Sequence, residues 1–404
     1  MLFTRQDVMD FIQQEDVSFV RLAFCDVFGE QKNVSVMASE LERAFEYGVS
    51  LDASAVAGFG DEQKSDLFLF PDSSTLAVLP WRPTHGRVIR LYCDIKYPDG
   101  TPFELDCRNI LRNAVKAAAA EGINCNIGTE YEFYLFKTDE NGEPTRIPHD
   151  NGKYMDIAPS DKGVNVRREI CLALAEMGII PENSHHESGP GQHEIDFKYS
   201  GAFTAADDAT TFKSVVGSMA DQNGLYASFS PKPVEGESGN GLHINISPSC
   251  TDGSDIYECF MAGILEHIKE ITVFLNPVEE SYKRFGSHRA PKYVTWSNEN
   301  RSQLIRIPAS RGDDRRIELR SPDPTADPYI ACALLIYAGL DGVKRGLVPP
   351  APMDINLYKA SPEQLASLEQ LPQSLSEAAR LASESEFVKR ALPSRLTDIY
   401  TGKV

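Results

Sequence analysis

The spacing of apolar and polar residues divides the chain into a strand-rich first part and a helix-rich second part. Up to residue 103 the alternating runs are short, and they predict a small α+β domain over residues 1–103. The predicted helices are Arg5–Gln14 and Ala38–Tyr47, and the predicted strands are Val17–Phe24, Leu67–Leu69, Thr75–Val78 and Arg87–Ile95, with a further strand and a turn around Asp26–Val36. The segment Leu51–Phe59 is rich in small residues, and we predict an exposed loop there.

From residue 104 onward, longer runs follow the spacing of amphipathic helices. Such helices are predicted at Asn109–Gly122, Val164–Met177, Thr211–Asn223 and Ile256–Phe274, and a helix that is apolar on nearly all sides at Asp327–Val343. Strands of strict alternation lie between these helices. We therefore predict a second domain over residues 104–404 and an α+β class for the whole chain.

One of these strands places two acids on the same face. In the run from 126 to 136, Tyr131 and Phe133 point to one side of the strand, and Glu130 and Glu132 point to the other. Two carboxylates so close repel each other unless a positive charge lies between them, and a divalent cation would supply it. A strand edge that faces water is the alternative.

Other strands divide their residues in the same way. The polar faces of these strands carry His243 with Asn245, Arg306 alone, and Arg316 with Glu318 and Arg320. A turn at 189–191 separates Glu187 from Glu194, so a hairpin would bring these two carboxylates together. A solvated polar hairpin remains the alternative for that stretch.

Composition and charge exclude several classes of partner. The chain has 404 residues and a net charge of −19, which argues against nucleic acid or an anionic membrane as the main partner. The 8 cysteines are dispersed, which is typical of a reducing compartment. We expect no signal peptide and no membrane span, and hence a cytoplasmic protein.

Collected on one sheet, these polar residues would form a phosphoryl-transfer site. The candidate metal ligands are Glu130, Glu132, Glu187, Glu194, His243 and Glu318. They suffice for two or three hard cations, Mg²⁺ or Mn²⁺. The candidate anion-binding residues are Arg284, Arg301, Arg306, Arg316 and Arg320. Since the sequence contains no phosphate-binding glycine loop, metals and arginines would hold the nucleotide.

Six segments in order carry a recognisable pattern: 128–133, 185–194, 231–243, 276–284, 300–308 and 316–329. Through them the chain resembles type I glutamine synthetase over nearly its whole length. It implies an N-terminal β-grasp domain and a catalytic domain whose curved antiparallel sheet forms part of a barrel flanked by helices. It also implies a dodecamer of two hexameric rings, with active sites shared between neighbouring subunits.

The resemblance also implies roles for single residues. Glu132, Glu187 and Glu194 match the ligands of one metal, and Glu130, His243 and Glu318 match those of another metal on the ATP phosphates. The residues that match glutamate-binding positions are Gly239, Arg284, Arg301 and Arg320. Arg316, with Arg306, is expected at the nucleotide, and Asp52 matches an aspartate that a neighbouring subunit gives to the ammonium site. Catalytic roles are expected for Asp52, Arg301 and Arg320.

The sequence departs from the family at the flap that covers the acyl phosphate. Arg289 stands where the family has a glutamate that helps to deprotonate ammonium, and the flap is one residue shorter. An arginine cannot act as that base. Ser238, Glu280 and Asn245 also replace family residues.

Three hypotheses follow. The first is an ATP-dependent ligase that forms a γ-glutamyl amide from glutamate and ammonia through γ-glutamyl phosphate. The second is a ligase for another amine or another acid, and Arg289 favours an amine with an anionic group. The third is a non-catalytic homologue that binds nucleotide.

Overall fold

The computed structural model describes residues 3–60, 63, 65–81, 86–309 and 315–402, and every structural statement below concerns those residues. The helices are α1 Arg5–Gln14, α2 Leu41–Tyr47, α3 Cys107–Ala120, α4 Val164–Glu176, α5 Ala202–Gln222, α6 Tyr257–Leu275, α7 Glu279–Tyr282, α8 Pro328–Arg345, α9 Pro362–Leu365, α10 Leu375–Glu384, α11 Glu386–Ala391 and α12 Ser394–Tyr400. Short 3₁₀ helices lie at Ala38–Glu40, Ala53–Ala55 and Ser73–Thr75.

The strands form two separate sheets. The first sheet contains β1 Val17–Cys25, β2 Gln31–Met37, β3 Val49–Asp52, β4 Asp66–Pro71, β5 Ala77–Val78 and β6 Arg87–Lys96. The second contains β7 Ile123–Thr138, β8 Pro144–Pro148, β9 Pro181–His186, β10 Gln192–Phe197, β11 Ser200–Gly201, β12 Leu225–Ser228, β13 Leu242–Cys250, β14 Trp296–Asn298, β15 Ile305–Ile307 and β16 Ile317–Leu319.

In the first sheet a parallel pair lies at the centre. The strand order is β2-β1-β6-β4-β3, with β5 also paired to β6. β1 and β6 run parallel, and the β1–β2, β4–β6 and β3–β4 pairs run antiparallel. The long connection between the two parallel strands carries β2, α2, β3, β4 and β5, and parallel neighbours require such a crossover.

In the second sheet, β7 is the strand on which most others assemble. The order is β14-β15-β16-β13-β7-β10-β9, and β8, β11 and β12 also pair with β7. Its apolar residues, among them Tyr131, Phe133 and Leu135, are fully buried beneath α5. α8 packs on α3 and α6 on the same side, so the opposite face of the strands is left open to carry polar residues.

Most predicted elements are present, and two predictions were wrong. Leu51–Phe59 is not an exposed loop: Val49–Asp52 is a strand, and the Phe59 ring packs 5.0 Å from the Phe103 ring, measured between centroids. α5 begins at Ala202, nine positions before the predicted Thr211. Its first turns are buried on nearly every side, so they lack the alternation of apolar and polar faces that reveals a helix in sequence.

No helix in the described ranges is long and apolar enough to cross a membrane.

A buried arginine joins the two sheets. Arg108, at the start of α3, donates from Nε and Nη2 to both carboxylate oxygens of Asp207 on α5, at 2.9 and 2.8 Å. It also contacts Asp94 on β6 at 3.1 Å and Asp72, beside the first sheet, at 3.2 Å. Burial opposes the charge of Arg108, but these carboxylates outweigh it and raise its pKa well above the usual range.

We expect Arg108→Met to lower the free energy of unfolding by about 3–5 kcal/mol, because removing one partner of a buried ion pair leaves the opposite charge buried without a counter-ion. Urea unfolding followed by tryptophan fluorescence measures this change. Arg380→Ala, which removes an exposed pair with Glu384, should change it by no more than about 0.5 kcal/mol. If Arg108→Met lowered the free energy of unfolding by as little as Arg380→Ala, the stabilising role of Arg108 would be contradicted.

Candidate functional site

The polar residues of the second sheet lie in one row because of the strand register. On β10, Glu194 lies directly opposite Glu132 of β7, and Asp196 lies opposite Glu130. On the other side of β7, His243 of β13 lies opposite Glu130. The His243 Nδ1 atom is 3.0 Å from a carboxylate oxygen of Glu130. Residues predicted on separate strands are therefore neighbours in the fold.

The row continues across β13 to β16 and β15. Glu318 of β16 lies opposite Asn245 of β13 and Arg306 of β15. Its side chain is fully buried and accepts hydrogen bonds from the guanidiniums of Arg306 and Arg320. The Asn245 amide donates to Glu130 at 2.8 Å and so links this end of the row to β7.

The predicted hairpin forms between β9 and β10. His185 of β9 lies opposite Glu194 of β10, and Glu187 follows directly after β9. The His185 Nε2 atom lies 3.1 Å from Glu187 and 3.8 Å from Glu194. The turn therefore brings the two carboxylates to one imidazole, and solvated decoration does not describe this stretch.

Candidate metal-ligating atoms group at both ends of the row. Atoms of Glu130, His243 and Glu318 lie within 4.8 Å of one another, which is the set expected for the metal near ATP. The set expected for the other metal is divided between two overlapping groups. Glu194 groups with Glu132 and His243, and also with His185 and Glu187.

The titration of these acids reflects the crowding of like charges. Burial, with the charges of Asp196 and Glu132, raises the pKa of Glu194 well above its usual range. Burial also raises the pKa of Glu132, and Glu187 adds to the increase. Burial opposes ionisation of Glu130 too, but hydrogen bonds from His243 and Asn245 outweigh it and lower the pKa of Glu130 to about 2. Divalent cations would relieve the repulsion that remains at Glu132 and Glu194.

The predicted arginines line the cleft above the acids, a cavity of about 280 Å³. The Arg284 guanidinium donates to the carbonyl oxygens of Ser321 and Pro322 at 3.1 and 3.2 Å. The remaining arginines in its wall are Arg289, Arg301, Arg306, Arg316 and Arg320. Gly239 also lines the cleft, and a Cβ there would lie 2.5 Å from the Pro231 carbonyl oxygen, so the close approach requires glycine.

One predicted residue lies elsewhere. Asp52 is at the end of β3 in the first sheet, where its carboxylate caps the following turn by accepting from Ser54 N at 3.0 Å. It does not line the cleft. Since its expected role is in the site of a neighbouring subunit, that role stays a prediction.

A second cavity of about 480 Å³ continues from the cleft and was not predicted. The two cavities share Glu130, Asn183, Asp196 and Arg316 in their walls. At the outer end, the Arg315 guanidinium lies 3.7 Å from the ring centroid of Tyr257. No local motif marks this cavity, because its walls come from β7, β9, β10, β13 and the start of α6.

Sequence reasoning also missed polar residues that hold the ligands in place. Gln192 Nε2 donates to Glu132 at 3.2 Å, to Gly239 O at 3.1 Å and to Asn240 Oδ1 at 3.1 Å. Asp196 shares the alternating face of Glu194, and that alternation was the signal that could have identified it as part of the site.

Beneath the hairpin lies a buried network of charged side chains. His186 Nε2 is 2.8 Å from Asp150, and its Nδ1 is 2.6 Å from the Glu187 carbonyl oxygen. Both partners accept hydrogen bonds, so the ring donates from both nitrogens and is positively charged. Burial opposes this charge, but the bond to Asp150 outweighs it and raises the pKa of His186.

The rest of the network balances these charges. Arg167 donates to both oxygens of Asp161 at 3.1 and 2.7 Å and to His193 Nδ1 at 2.8 Å. Atoms of Asp150, Asp161, His186 and His193 lie within 4.8 Å of one another, a spacing that suits a metal. However, Arg167 and the charged His186 already neutralise the two carboxylates, and His193 Nδ1 is occupied. The network is therefore structural, and it supports Glu187 and Glu194 from below.

Comparison with known proteins agrees with this architecture. The family model "Glutamine synthetase, beta-Grasp domain" matches residues 16–98, and "Glutamine synthetase, catalytic domain" matches residues 104–403. The division at residues 103 and 104 stays a prediction. The glutamine synthetase of Clostridium saccharobutylicum is 43% identical over 405 residues, with 96% of this chain and 91% of the relative covered. That of Methanosarcina mazei is 43% identical over 413 residues, with 98% and 92% covered.

Solved structures confirm the predicted fold class. A structure described as "GmaS/ADP complex-Conformation 1" has a TM-score of 0.89 and 28% identity, covering 98% of this chain and 94% of the other. The cryo-EM structure of Plasmodium falciparum glutamine synthetase has a TM-score of 0.87 at 24% identity, covering 100% and 95%. The second likeness is one of fold alone.

We expect Asp150→Asn to weaken Mn²⁺ binding about 10- to 100-fold, although Asp150 would not itself touch the metal. The substitution removes the counter-ion of His186, which holds the chain at Glu187. Electron paramagnetic resonance of free Mn²⁺ measures the affinity without reference to activity. Asp156→Asn on the same segment is the control, and equal affinities for the two variants would contradict the supporting role.

Proposed function

The chain belongs to the glutamine synthetase family, and from this premise we propose that its cleft joins glutamate to ammonia with cleavage of ATP to ADP and phosphate. The γ-carboxylate of glutamate first takes the terminal phosphoryl group of ATP. Ammonia then attacks the γ-carbonyl carbon, and phosphate leaves as glutamine forms. The enzyme is thus an ATP-dependent glutamate–ammonia ligase.

One observation carries the assignment to this cleft. The strand register places Glu130, Glu132 and Glu194 beside His243 on the floor, with arginines in the wall above. Phosphoryl transfer needs this combination, because cations and guanidiniums must neutralise the charge of the phosphates. A sensor that only bound nucleotide would have no use for so many buried acids, which destabilise the fold unless cations pair with them.

The donor set fits divalent cations. Carboxylate oxygens with an imidazole suit Mg²⁺ or Mn²⁺, and we propose two or three ions in each site. Glu132, Glu187 and Glu194 would hold one ion, and Glu130, His243 and Glu318 another. When bound, the ions would neutralise the phosphates and polarise the oxygens at the reacting phosphorus.

The two connected cavities suggest how the substrates divide. ATP would lie in the larger cavity, with its phosphates at Arg316 and Arg306, and one similar structure is described as an ADP complex. Glutamate would lie in the smaller cavity, held by Gly239, Arg284, Arg301 and Arg320. Arg301 and Arg320 would also stabilise the charge that develops on the acyl phosphate.

The remaining proposals concern assembly. Family membership supports a homo-oligomer, and we propose a dodecamer of two hexameric rings in which Asp52 of one subunit completes the ammonium site of the next. Asp52 is exposed at a strand end, as a residue offered to a neighbour must be. The predicted cytoplasmic location stays a prediction.

Glu318→Gln should reduce glutamate- and ammonia-dependent phosphate release on the order of 100- to 1000-fold, because it removes a buried negative charge from the proposed metal site. A coupled phosphate assay with ATP and Mg²⁺ measures the rate. Glu280→Gln, an exposed acid outside the cleft, is the control. Turnover that persists in Glu318→Gln would show that the metal assignment is wrong.

Arg316→Met should raise the KM for ATP about 10- to 100-fold and leave the KM for glutamate within about twofold, since Arg316 lies where the two cavities meet. Initial rates with one substrate varied at a time separate the two constants. Equal increases in the two KM values would indicate that Arg316 supports the structure of the cleft and does not bind the nucleotide.

A further inference from the structure

In the part of the chain that the structure describes, two arginines of the cleft wall have guanidinium N–H groups without a hydrogen-bond acceptor. Arg306 and Arg320 donate to Glu318, Arg284 donates to backbone carbonyls, and Arg316 donates to Asn245. The guanidiniums of Arg289 and Arg301 make no hydrogen bond or ion pair with the described part of the chain, although both line the cleft. Two free guanidiniums can recognise two anionic groups of bound substrates.

The chain holds Arg289 at the rim in a defined position. His288 and Arg289 have φ angles of 46° and 68°, in the left-handed region that non-glycine residues rarely adopt. The turn is closed by a hydrogen bond from Ala290 N to Ser287 O at 2.9 Å, and the Arg289 carbonyl oxygen accepts from Arg320 at 3.3 Å. The backbone of Arg289 is therefore held in place, while the residue as a whole stays exposed.

The guanidinium of Arg289 is also directed by an aromatic ring. Its central carbon lies 5.1 Å from the ring centroid of Tyr154, and Tyr154 packs edge-on against His185 with centroids 5.4 Å apart. His185 in turn contacts Glu187 at 3.1 Å. Arg289 and Glu187 also line the same cleft, so this charge lies near one of the acids that would hold the metal at the glutamate end.

We propose that Arg289 binds a carboxylate on the acceptor, so that this site also joins glutamate to primary amines that carry a carboxylate. The proposal rests on the proposed function. Arg301 is assigned to the carboxylate of glutamate itself, which leaves Arg289 for a second anion. A guanidinium at the entrance repels a cationic amine and attracts an anionic one.

The same bonds form and break with such an amine as with ammonia. The lone pair of the free amine attacks the γ-carbonyl carbon of γ-glutamyl phosphate and forms the C–N bond. The C–O bond to the phosphoryl group breaks, and phosphate leaves with the bonding electrons. The nitrogen releases one proton to water, and the product is a γ-glutamyl amide that carries the carboxylate of the acceptor.

The experiment compares three short primary amines that differ in their second group. β-Alanine is anionic there, ethanolamine is neutral and 1,3-diaminopropane is cationic, and ammonium is measured alongside. Phosphate release gives kcat/KM with ATP, glutamate and Mg²⁺, and mass spectrometry identifies the γ-glutamyl product. The variants are Arg289→Gln and Arg289→Glu, with Lys283→Ala as the control that removes an exposed cation outside the cleft.

In the unaltered enzyme we expect β-alanine to exceed ethanolamine and 1,3-diaminopropane at least about tenfold in kcat/KM. The ratio of kcat/KM for β-alanine to that for ammonium should fall about 10- to 100-fold in Arg289→Gln and keep its value in Lys283→Ala. Arg289→Glu should reverse the order in favour of 1,3-diaminopropane.

Two results would overturn the proposal while leaving the ligase activity in place. The first is turnover of ammonium without any γ-glutamyl-β-alanine. The second is an equal fall for every acceptor in Arg289→Gln, which would assign Arg289 to the transferred phosphoryl group. Absence of phosphate release with all acceptors, ammonium included, would instead reject the proposed function and the inference with it.

Discussion

The structure depends on a row of acids that the sheet holds side by side. Glu132 faces Glu194 and Glu130 faces Asp196 across adjacent antiparallel strands, where like charges destabilise the pairing. The chain offsets this repulsion at only one end. His243 and Asn245 engage Glu130, and two arginines engage Glu318. Glu132 accepts a hydrogen bond from Gln192 and Glu194 lies 3.8 Å from His185, but burial outweighs these contacts and raises the pKa of both acids. An acid pair left in this state is a site that a cation completes.

The support of the row lies on the opposite face of the hairpin. Successive residues of a strand point to opposite faces of the sheet. Glu194 and Glu187 point into the cleft, so His193 and His186, which precede them, point into the protein. There Asp150 and Asp161, paired with His186 and Arg167, form a network without net charge. The stretch from His186 to Glu194 thus supplies both acids of the cleft and histidines of the buried network that supports them.

The alternation of residues along each strand was sufficient to identify the acids and most arginines, because it depends only on neighbours in sequence. Alternation does not predict which residues lie opposite one another on neighbouring strands, because β7 pairs with β10 about sixty positions away and with β13 more than a hundred away. Asp196 and Gln192 share the alternating face of Glu194, so the same signal was present for them although they were left out of the predicted site. The buried start of α5 and the strand at Val49–Asp52 were missed because tertiary packing, and not local periodicity, determines them.

The row of acids and the rim at Arg289 differ in how many contacts a substitution would disturb. Each acid of the row has partners on a neighbouring strand, so a substitution at Glu130 alters the surroundings of His243 and Asn245 as well. Arg289 projects from a turn that is held through backbone atoms, and its side chain rests on a single aromatic ring. A new side chain at that position changes the charge at the entrance and leaves the hydrogen bonds of the row intact. The geometry therefore separates the proposed phosphoryl-transfer site, which depends on many residues at once, from the proposed choice of acceptor, which depends on Arg289.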